Sequence, residues 1–329
     1  MNKISMPFQV SWDITTGCNL RCKHCFYSKN QLSNNFYISK DEAMKFVNYL
    51  GDNKVFHLSV AGGEPLICDY LPEIIKQAKK NNISTSISTN AILLSKELSN
   101  QLKINGLNSI QISLDSINES NNDFIRGNGS FKKTLQGIQN AVDVGLKVVL
   151  AIVICKPNLD DWDDIFSFAL SQKCYGIKVQ TFISDRGIGL LNKNEIEPSY
   201  DDVVNLLNKL WFEKAKYEKV LNIVMPLTPQ ISSILENKKI NGCLGCSPGL
   251  KSVSISANGD VKACSTQVAD EEGVIGNIFN SPLKEIYSKH TDEIEKYKLN
   301  NLNLGNSSTS CGSLCGNGCR STNLNFIKL

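Results

Sequence analysis

The sequence has no apolar run longer than the eight residues Val148–Cys155, far short of the roughly 20 that a helix needs to cross a bilayer. Its opening, MNKISMPFQVSWD, lacks the apolar core of a signal peptide. Excess charge of one sign is missing too. With 35 basic and 32 acidic residues the formal net charge is +3, nothing like the balance of a nucleic-acid-binding protein. No internal repeat is present, so a repeat array is not expected. Together these absences predict a cytoplasmic protein engaged with neither membrane nor nucleic acid. The 329 residues, 41% of them hydrophobic, can fill one large domain, or a large one plus a small one.

Cysteine, by contrast, is abundant, with 12 residues. Cytosolic thiols are kept reduced, so metal or redox chemistry is expected over disulfides. The stretch GCNLRCKHCF, Gly17 to Phe26, places three thiols as Cys18-x3-Cys22-x2-Cys25. Six more lie between Cys243 and Cys319. Cys68, Cys155 and Cys174 are scattered between and read as small buried hydrophobes.

From Phe8 to about Ile183, six short apolar runs (FQVSWDIT, VFHLSVA, ISTSIST, SIQISL, KVVLAIVI, IKVQTFI) alternate with helical patterns. The helices are expected over Ser39–Leu50, Tyr70–Lys80, Ser95–Lys103, Phe131–Val144 and Leu159–Leu170. Ser39 with Glu42 makes a capping box, Gly51 is an expected stop, and Ser95 and Ser130 are expected caps. Such alternation means βα units and a parallel sheet; periodicity alone leaves a partial barrel and an open sheet both open. Helices near Tyr200–Glu218 and Gln230–Lys239 follow. Then SVSISANGDVKACS predicts a hairpin around Asn258-Gly259, a helix is expected near Leu283–Tyr297, and a polar Gly/Ser/Asn-rich tail carries three cysteines that a metal would order. The expected division is 1–220 and 221–329.

Structural zinc takes four ligands. His24 stands next to Cys25, an awkward position for completing a tetrahedron with the three thiols. Three thiolates on an iron–sulfur cluster instead leave one iron free to bind a small molecule. The cysteines also follow the first predicted strand, and in (β/α) barrels the loops at that end carry the chemistry.

Cys18-x3-Cys22-x2-Cys25 followed by Phe26 resembles the signature of radical S-adenosylmethionine (SAM) enzymes. The resemblance implies a partial (β/α)6 TIM-like barrel and a [4Fe–4S] cluster on Cys18, Cys22 and Cys25. It implies that SAM chelates the unique iron and is cleaved reductively to a 5′-deoxyadenosyl radical that abstracts a hydrogen atom. AGGEP, Ala61–Pro65, is similar to the family's glycine-glycine-glutamate motif: Gly62 and Gly63 for close backbone approach, Glu64 for the methionyl ammonium. An ordinary strand-to-helix turn is the competing reading. STN, Ser88–Asn90 with Thr89, ends the third strand where family members place polar SAM-site residues. Ser113 and Asp115 suit the ribose hydroxyls, and Arg126 in NDFIRGNGSF stands where the family's arginine meets the SAM carboxylate, against the competing reading of a surface arginine. Ile152 and Val153, with Phe26, would flank the adenine; apolar core competes for those two.

The second group, Cys243-x2-Cys246, then Cys264, then Cys311-x3-Cys315-x3-Cys319, resembles the SPASM/twitch extension, a small cysteine-rich α+β domain with auxiliary iron–sulfur clusters. The spacing departs from the full pattern, with no cysteine after Cys319. Six thiols suit one four-cysteine auxiliary [4Fe–4S] cluster with two left over. Cys243, Cys246, Cys264 and Cys319 fit best by motif position, Cys311 and Cys315 stay open, and a zinc ribbon is the competing metal reading. A spare Cys243 or Cys311 would be a hydrogen-atom donor to a substrate radical. Enzymes so extended mostly modify peptides, so epimerisation or a thioether or carbon–carbon crosslink in a ribosomally made peptide is the expected reaction. A small-molecule substrate, such as a tetrapyrrole, is the alternative, and a non-catalytic iron–sulfur or zinc protein is the alternative of another class. The 17 residues before Cys18 leave no room for a fused peptide-recognition domain at that end, so a leader peptide, if used, is expected to meet a separate leader-recognition protein or the barrel surface itself, with flavodoxin or ferredoxin as electron donor.

Overall fold

The computed structural model describes residues 6–33, 36–217, 219–226, 251–264 and 273–291. Six parallel strands form its centre: β1 (Gln9–Asp13), β2 (His57–Ala61), β3 (Ser84–Thr89), β4 (Ser109–Ser113), β5 (Val148–Ile154) and β6 (Gly176–Thr181). Each pairs with the next in sequence order, as successive βα units require. Between them run α1 (Lys29–Ser33), α2 (Lys40–Asp52), α3 (Leu71–Lys80), α4 (Lys96–Asn105), α5 (Glu119–Arg126), α6 (Ser130–Asp143) and α7 (Trp162–Ser171). Then come α8 (Gly187–Ile196), α9 (Tyr200–Tyr217) and the short β7 (Asn222–Val224), parallel to β6.

The capping chemistry follows expectation at two helices. Ser39 and Glu42 form the capping box of α2, and Ser95 Oγ accepts the Leu98 amide at 3.1 Å at the start of α4. Two expectations are corrected. Gly51 does not stop α2, which runs on to Asp52; the glycine instead makes room for Asn81, whose Cβ would lie 2.6 Å from an added methyl. Ser130 is the first residue of α6 behind an N-cap Gly129, because its hydroxyl is turned to Asp123 Oδ1 at 3.0 Å.

The hairpin around Gly259 (φ +85°) is formed by β8 (Ser252–Ile255) and β9 (Asp260–Lys262), with β10 (Val274–Asn277) antiparallel to β9. It does not stand apart from the barrel. β8 lies parallel to β1, Gln9 opposite Ser252 and Ser11 opposite Ser254, so one ten-stranded sheet runs from β10 to β7. A helical stretch at 283–291 follows, and the expected helix at 230–239 lies outside the described residues.

The two sheet faces differ in chemistry. Outward residues such as Val10, Trp12, Leu58, Val60, Ile110, Ile112, Leu150 and Ile177 are fully buried against Ile74, Leu102, Ile138, Phe166 and Leu207 of the helices. Each such side chain contributes about 1.5–3 kcal/mol of transfer free energy. The inward face carries Gln9, Ser11 and Asp13 of β1, His57 and Ser59 of β2, Ser86 and Ser88 of β3, Gln111 and Ser113 of β4, and Lys178 and Gln180 of β6, all lining one cavity. Parallel strands buried on both faces read as continuous apolar runs. Polar residues at every second position therefore mark a curved sheet around a polar bore, as in a TIM-like barrel left partly open.

Candidate active site

The cysteine loop leaves the C-terminal end of β1 and is held on three sides. Below it, β2 ends in Gly62-Gly63: the Gly63 amide donates to Thr15 O at 2.9 Å and the Glu64 amide to Gly17 O at 2.8 Å. A Cβ on Gly62 would lie 2.4 Å from Thr15 O, and one on Gly63 would lie 2.3 Å from Gly17 O. The close approach that these glycines allow is thus to the backbone leading into Cys18. On the second side, the Lys23 amide donates to Ile125 O at 2.7 Å, tying the loop to α5. On the third, the Ile188 and Gly189 amides donate to Tyr27 O at 2.9 Å and Cys25 O at 2.8 Å, so α8 backs the loop. Phe26 stacks obliquely on Tyr27 with ring centroids 5.0 Å apart.

Cys18, Cys22 and Cys25 all open on a cavity of about 420 Å³ that continues into the bore. Burial pushes the Cys22 thiol up to about 12 and Cys25 up to about 11. Among the described residues no three His, Cys, Asp or Glu side chains converge to hold a single ion. Three thiols on one cavity suit an iron–sulfur cluster, which Cys18, Cys22 and Cys25 would hold through their thiolates. His24 is engaged elsewhere, its Nε2 2.7 Å from Asp115 Oδ2.

Glu64 is buried at the cavity wall beside this loop. Its carboxylate accepts Thr89 Oγ1 at 2.5 Å, the Asn90 amide at 2.8 Å and the Leu66 amide at 3.1 Å. Burial still pushes it up to about 7, because these partners are neutral. Asn90 in turn donates its side-chain amide to Asn19 Oδ1 at 2.7 Å. Opposite, Arg126 reaches the cavity from the end of α5, 5% exposed, with Nη1 3.9 Å from Cys22 Sγ and Nε 2.7 Å from Asp115 Oδ2. The reading of Arg126 as a surface residue is thereby excluded.

The structure brings together Phe26, Gly62, Gly63, Glu64, Thr89, Asn90, Ser113, Arg126 and Val153 with the three thiols around this cavity. It leaves out three expected members. Pro65 is buried at the start of a one-turn 3-10 helix, Pro65–Ile67, where its fixed φ begins the turn. Ile152 belongs to the helix-facing core, since strand alternation sends it opposite to Val153. Asp115 is fully buried behind Arg126, and its carboxylate is consumed by Arg126, His24 and the Val153 amide at 2.8 Å. Burial would raise Asp115, but Arg126 and His24 hold it well below the usual carboxylate range. It positions the site without lining it. Cys264 follows β9, while Cys243, Cys246, Cys311, Cys315 and Cys319 lie outside the described residues.

Sequence reasoning missed Asp13, Tyr27, His24, Gln111 and Lys178, all in the cavity wall. The Tyr27 hydroxyl donates to Asp13, which burial pushes up to about 7. The signal for Asp13, Gln111 and Lys178 was the polar phase of strands that should otherwise be apolar throughout. Cys68, Cys155 and Cys174 are buried, as expected of small hydrophobes.

Comparison with known proteins agrees with this geometry. Residues 12–169 match the radical SAM superfamily, and residues 246–319 match SPASM, an iron-sulfur cluster-binding domain. The chain belongs to the radical SAM superfamily and carries a SPASM domain, and its cofactors are accordingly a [4Fe–4S] cluster, SAM and auxiliary iron–sulfur. It is 25% identical over 320 residues to the mycofactocin maturase MftC of Mycolicibacterium smegmatis, covering 96% of this chain and 79% of that one. It is 30% identical over 219 residues to the Fe-coproporphyrin III synthase of Methanosarcina barkeri, covering 65% of this chain and 55% of that one. Its fold is that of Streptococcus suis SuiB, solved bound to the precursor peptide SuiA, with a TM-score of 0.70 at 18% identity, covering 87% of this chain and 66% of SuiB. The chain thus spans about half of the synthase and two thirds of SuiB. Among the described residues no helix is long and apolar enough to cross a membrane.

Proposed function

We propose that the chain abstracts a hydrogen atom from a ribosomally synthesised peptide, ending in epimerisation or in a thioether or carbon–carbon crosslink. The observation that carries this reading is the continuity of one cavity from the three thiols, Glu64 and Arg126 down into the polar bore. Cofactor and substrate share one chamber walled off by the sheet. The cluster and SAM, bound there, supply the radical that takes the hydrogen atom. Cys18, Cys22 and Cys25 would each hold one iron, leaving the fourth for SAM. Glu64, as carboxylate, accepts the methionyl ammonium that its buried, cation-poor setting lacks. Thr89 and Asn90 aim it, Gly62 and Gly63 fasten its strand end to the cysteine loop, and Arg126 offers its free guanidinium edge to the methionyl carboxylate. Ser113 serves the ribose, and Phe26 and Val153 the adenine. Cys243, Cys246, Cys264 and Cys319 hold the auxiliary cluster, with Cys311 and Cys315 as remaining thiols.

The mycofactocin maturase and SuiB both point to a peptide substrate. A separate leader-recognition protein, a flavodoxin or ferredoxin as electron source, and the reducing cytoplasm complete the proposal. A small-molecule substrate is the second reading, favoured by the match to Fe-coproporphyrin III synthase. The test is anaerobic reconstitution with iron, sulfide, SAM and dithionite. We expect 5′-deoxyadenosine from the wild-type protein and none from C18A, C22A or C25A. A co-produced precursor peptide should raise the yield, where the second reading expects a porphyrin to do so. Zinc on these three cysteines, or no 5′-deoxyadenosine, overturns the reading.

A further inference from the structure

The bore below the cysteine loop contains a lysine that the SAM site leaves unused. Lys178 lies on β6 opposite Ala151 of β5, and Ala151 in turn lies opposite Ser113 of β4. The small alanine lets the lysine side chain reach across β5, and Nζ donates to Gln111 Oε1 at 3.2 Å. It forms no ion pair among the described residues. Both acids that line the cavity are committed elsewhere: Asp13 to the Tyr27 hydroxyl, Glu64 to Thr89 and two amides. Arg126, the other strong cation in the cavity wall, is neutralised by Asp115. Burial lowers the Lys178 pKa, as expected of an ammonium taken from water and given only a neutral amide. Such a group is stabilised when an anion enters and pairs with it. With Gln111 Oε1 accepting from the lysine, the Gln111 amide nitrogen keeps its donors. An ammonium beside an amide N–H matches the two oxygens of a carboxylate.

We propose that Lys178 and Gln111 form a subsite for a substrate carboxylate, so that the substrate presents an acidic group inside the bore. The inference rests on the reading that the bore receives substrate. Two sources share this chemistry, an aspartate or glutamate side chain and a terminal carboxylate. Equilibrium dialysis on the reconstituted, SAM-loaded full chain separates them. One probe pair is N-acetylglutamate N′-methylamide against its glutamine isostere; the other is N-acetylalanine against N-acetylalaninamide. One carboxylate probe should bind about tenfold tighter than its neutral partner, because an ion pair in a low-dielectric bore is weakly screened. K178Q and K178M should both abolish that preference while keeping the wild-type melting temperature, and K178R should restore part of it. The proposal is overturned if neither carboxylate is preferred, or if the preference survives K178Q. It is equally overturned if K178Q weakens SAM binding, which would make the lysine part of the cofactor site. Release of 5′-deoxyadenosine is measured separately. Its absence, with the carboxylate preference intact, counts against the proposed function and leaves this subsite standing.

Discussion

At the residue scale, Asp115 holds two side chains on one oxygen, the Arg126 guanidinium Nε and the His24 imidazole Nε2 each at 2.7 Å from Oδ2. Removing it strands a buried guanidinium. Asp115→Ala should cost about 3–5 kcal/mol of stability and raise the SAM dissociation constant, read by thermal melting and by titration with SAM. Asp13 and Glu64 behave in the opposite sense. Both are raised by burial to about 7 from ordinary values of 3.8 and 4.5. A carboxyl whose folded pKa is raised stabilises the fold below its unfolded pKa, and that contribution is lost as pH rises through about 7. In the cluster-free protein, Asp13→Asn should therefore gain stability relative to wild type as pH rises from about 4 to about 7, by up to about 1.4 kcal/mol for each pH unit, and level off above. Melting curves across that range check it; a constant difference would refute it. Glu64→Gln keeps the hydrogen-bonded shape and removes the charge, so SAM binding should weaken by about 1.5–3 kcal/mol, the range for a charge-assisted hydrogen bond.

At the element scale, the joint between β2 and the cysteine loop governs cluster assembly. Gly63→Ala would press a methyl against backbone on both Gly17 O and Thr16 O, 2.3 and 2.5 Å from the added carbon. The loop must move, and iron per protein after reconstitution should drop well below wild type while the far-UV spectrum stays unchanged. Iron at the wild-type level would show that the joint is compliant. The six central strands and most helices were legible in the sequence, because each follows from local periodicity and caps such as Ser39 and Ser95. α8 was not: GIGLLNKNEI has little amphipathic pattern, and its Gly187, at φ +62°, is there because a side chain would strike Phe26 O. The site motifs were legible as a set, but the roles inside it were not. Asp115 and Ser113 share a strand phase, yet only the path of α5 decides that Asp115 meets Arg126 and leaves the cavity to Ser113.

At the scale of the whole molecule, the pairing of β8 with β1 joins segments far apart in the chain, which no local pattern announces. Without it, β1 would present an unpaired strand edge. A truncation after residue 226 should therefore associate or precipitate, where the full chain gives a defined peak on size exclusion; a monodisperse truncated protein would show that the barrel manages its edge unaided.

That same pairing sets an order of events during synthesis. β8 emerges from the ribosome roughly 240 residues after β1, about 12–50 s later at ordinary elongation rates. Throughout that interval the strand leading into Cys18 lacks its outer neighbour. The sheet beside the cysteine loop is therefore completed only after the C-terminal part of the chain has been made.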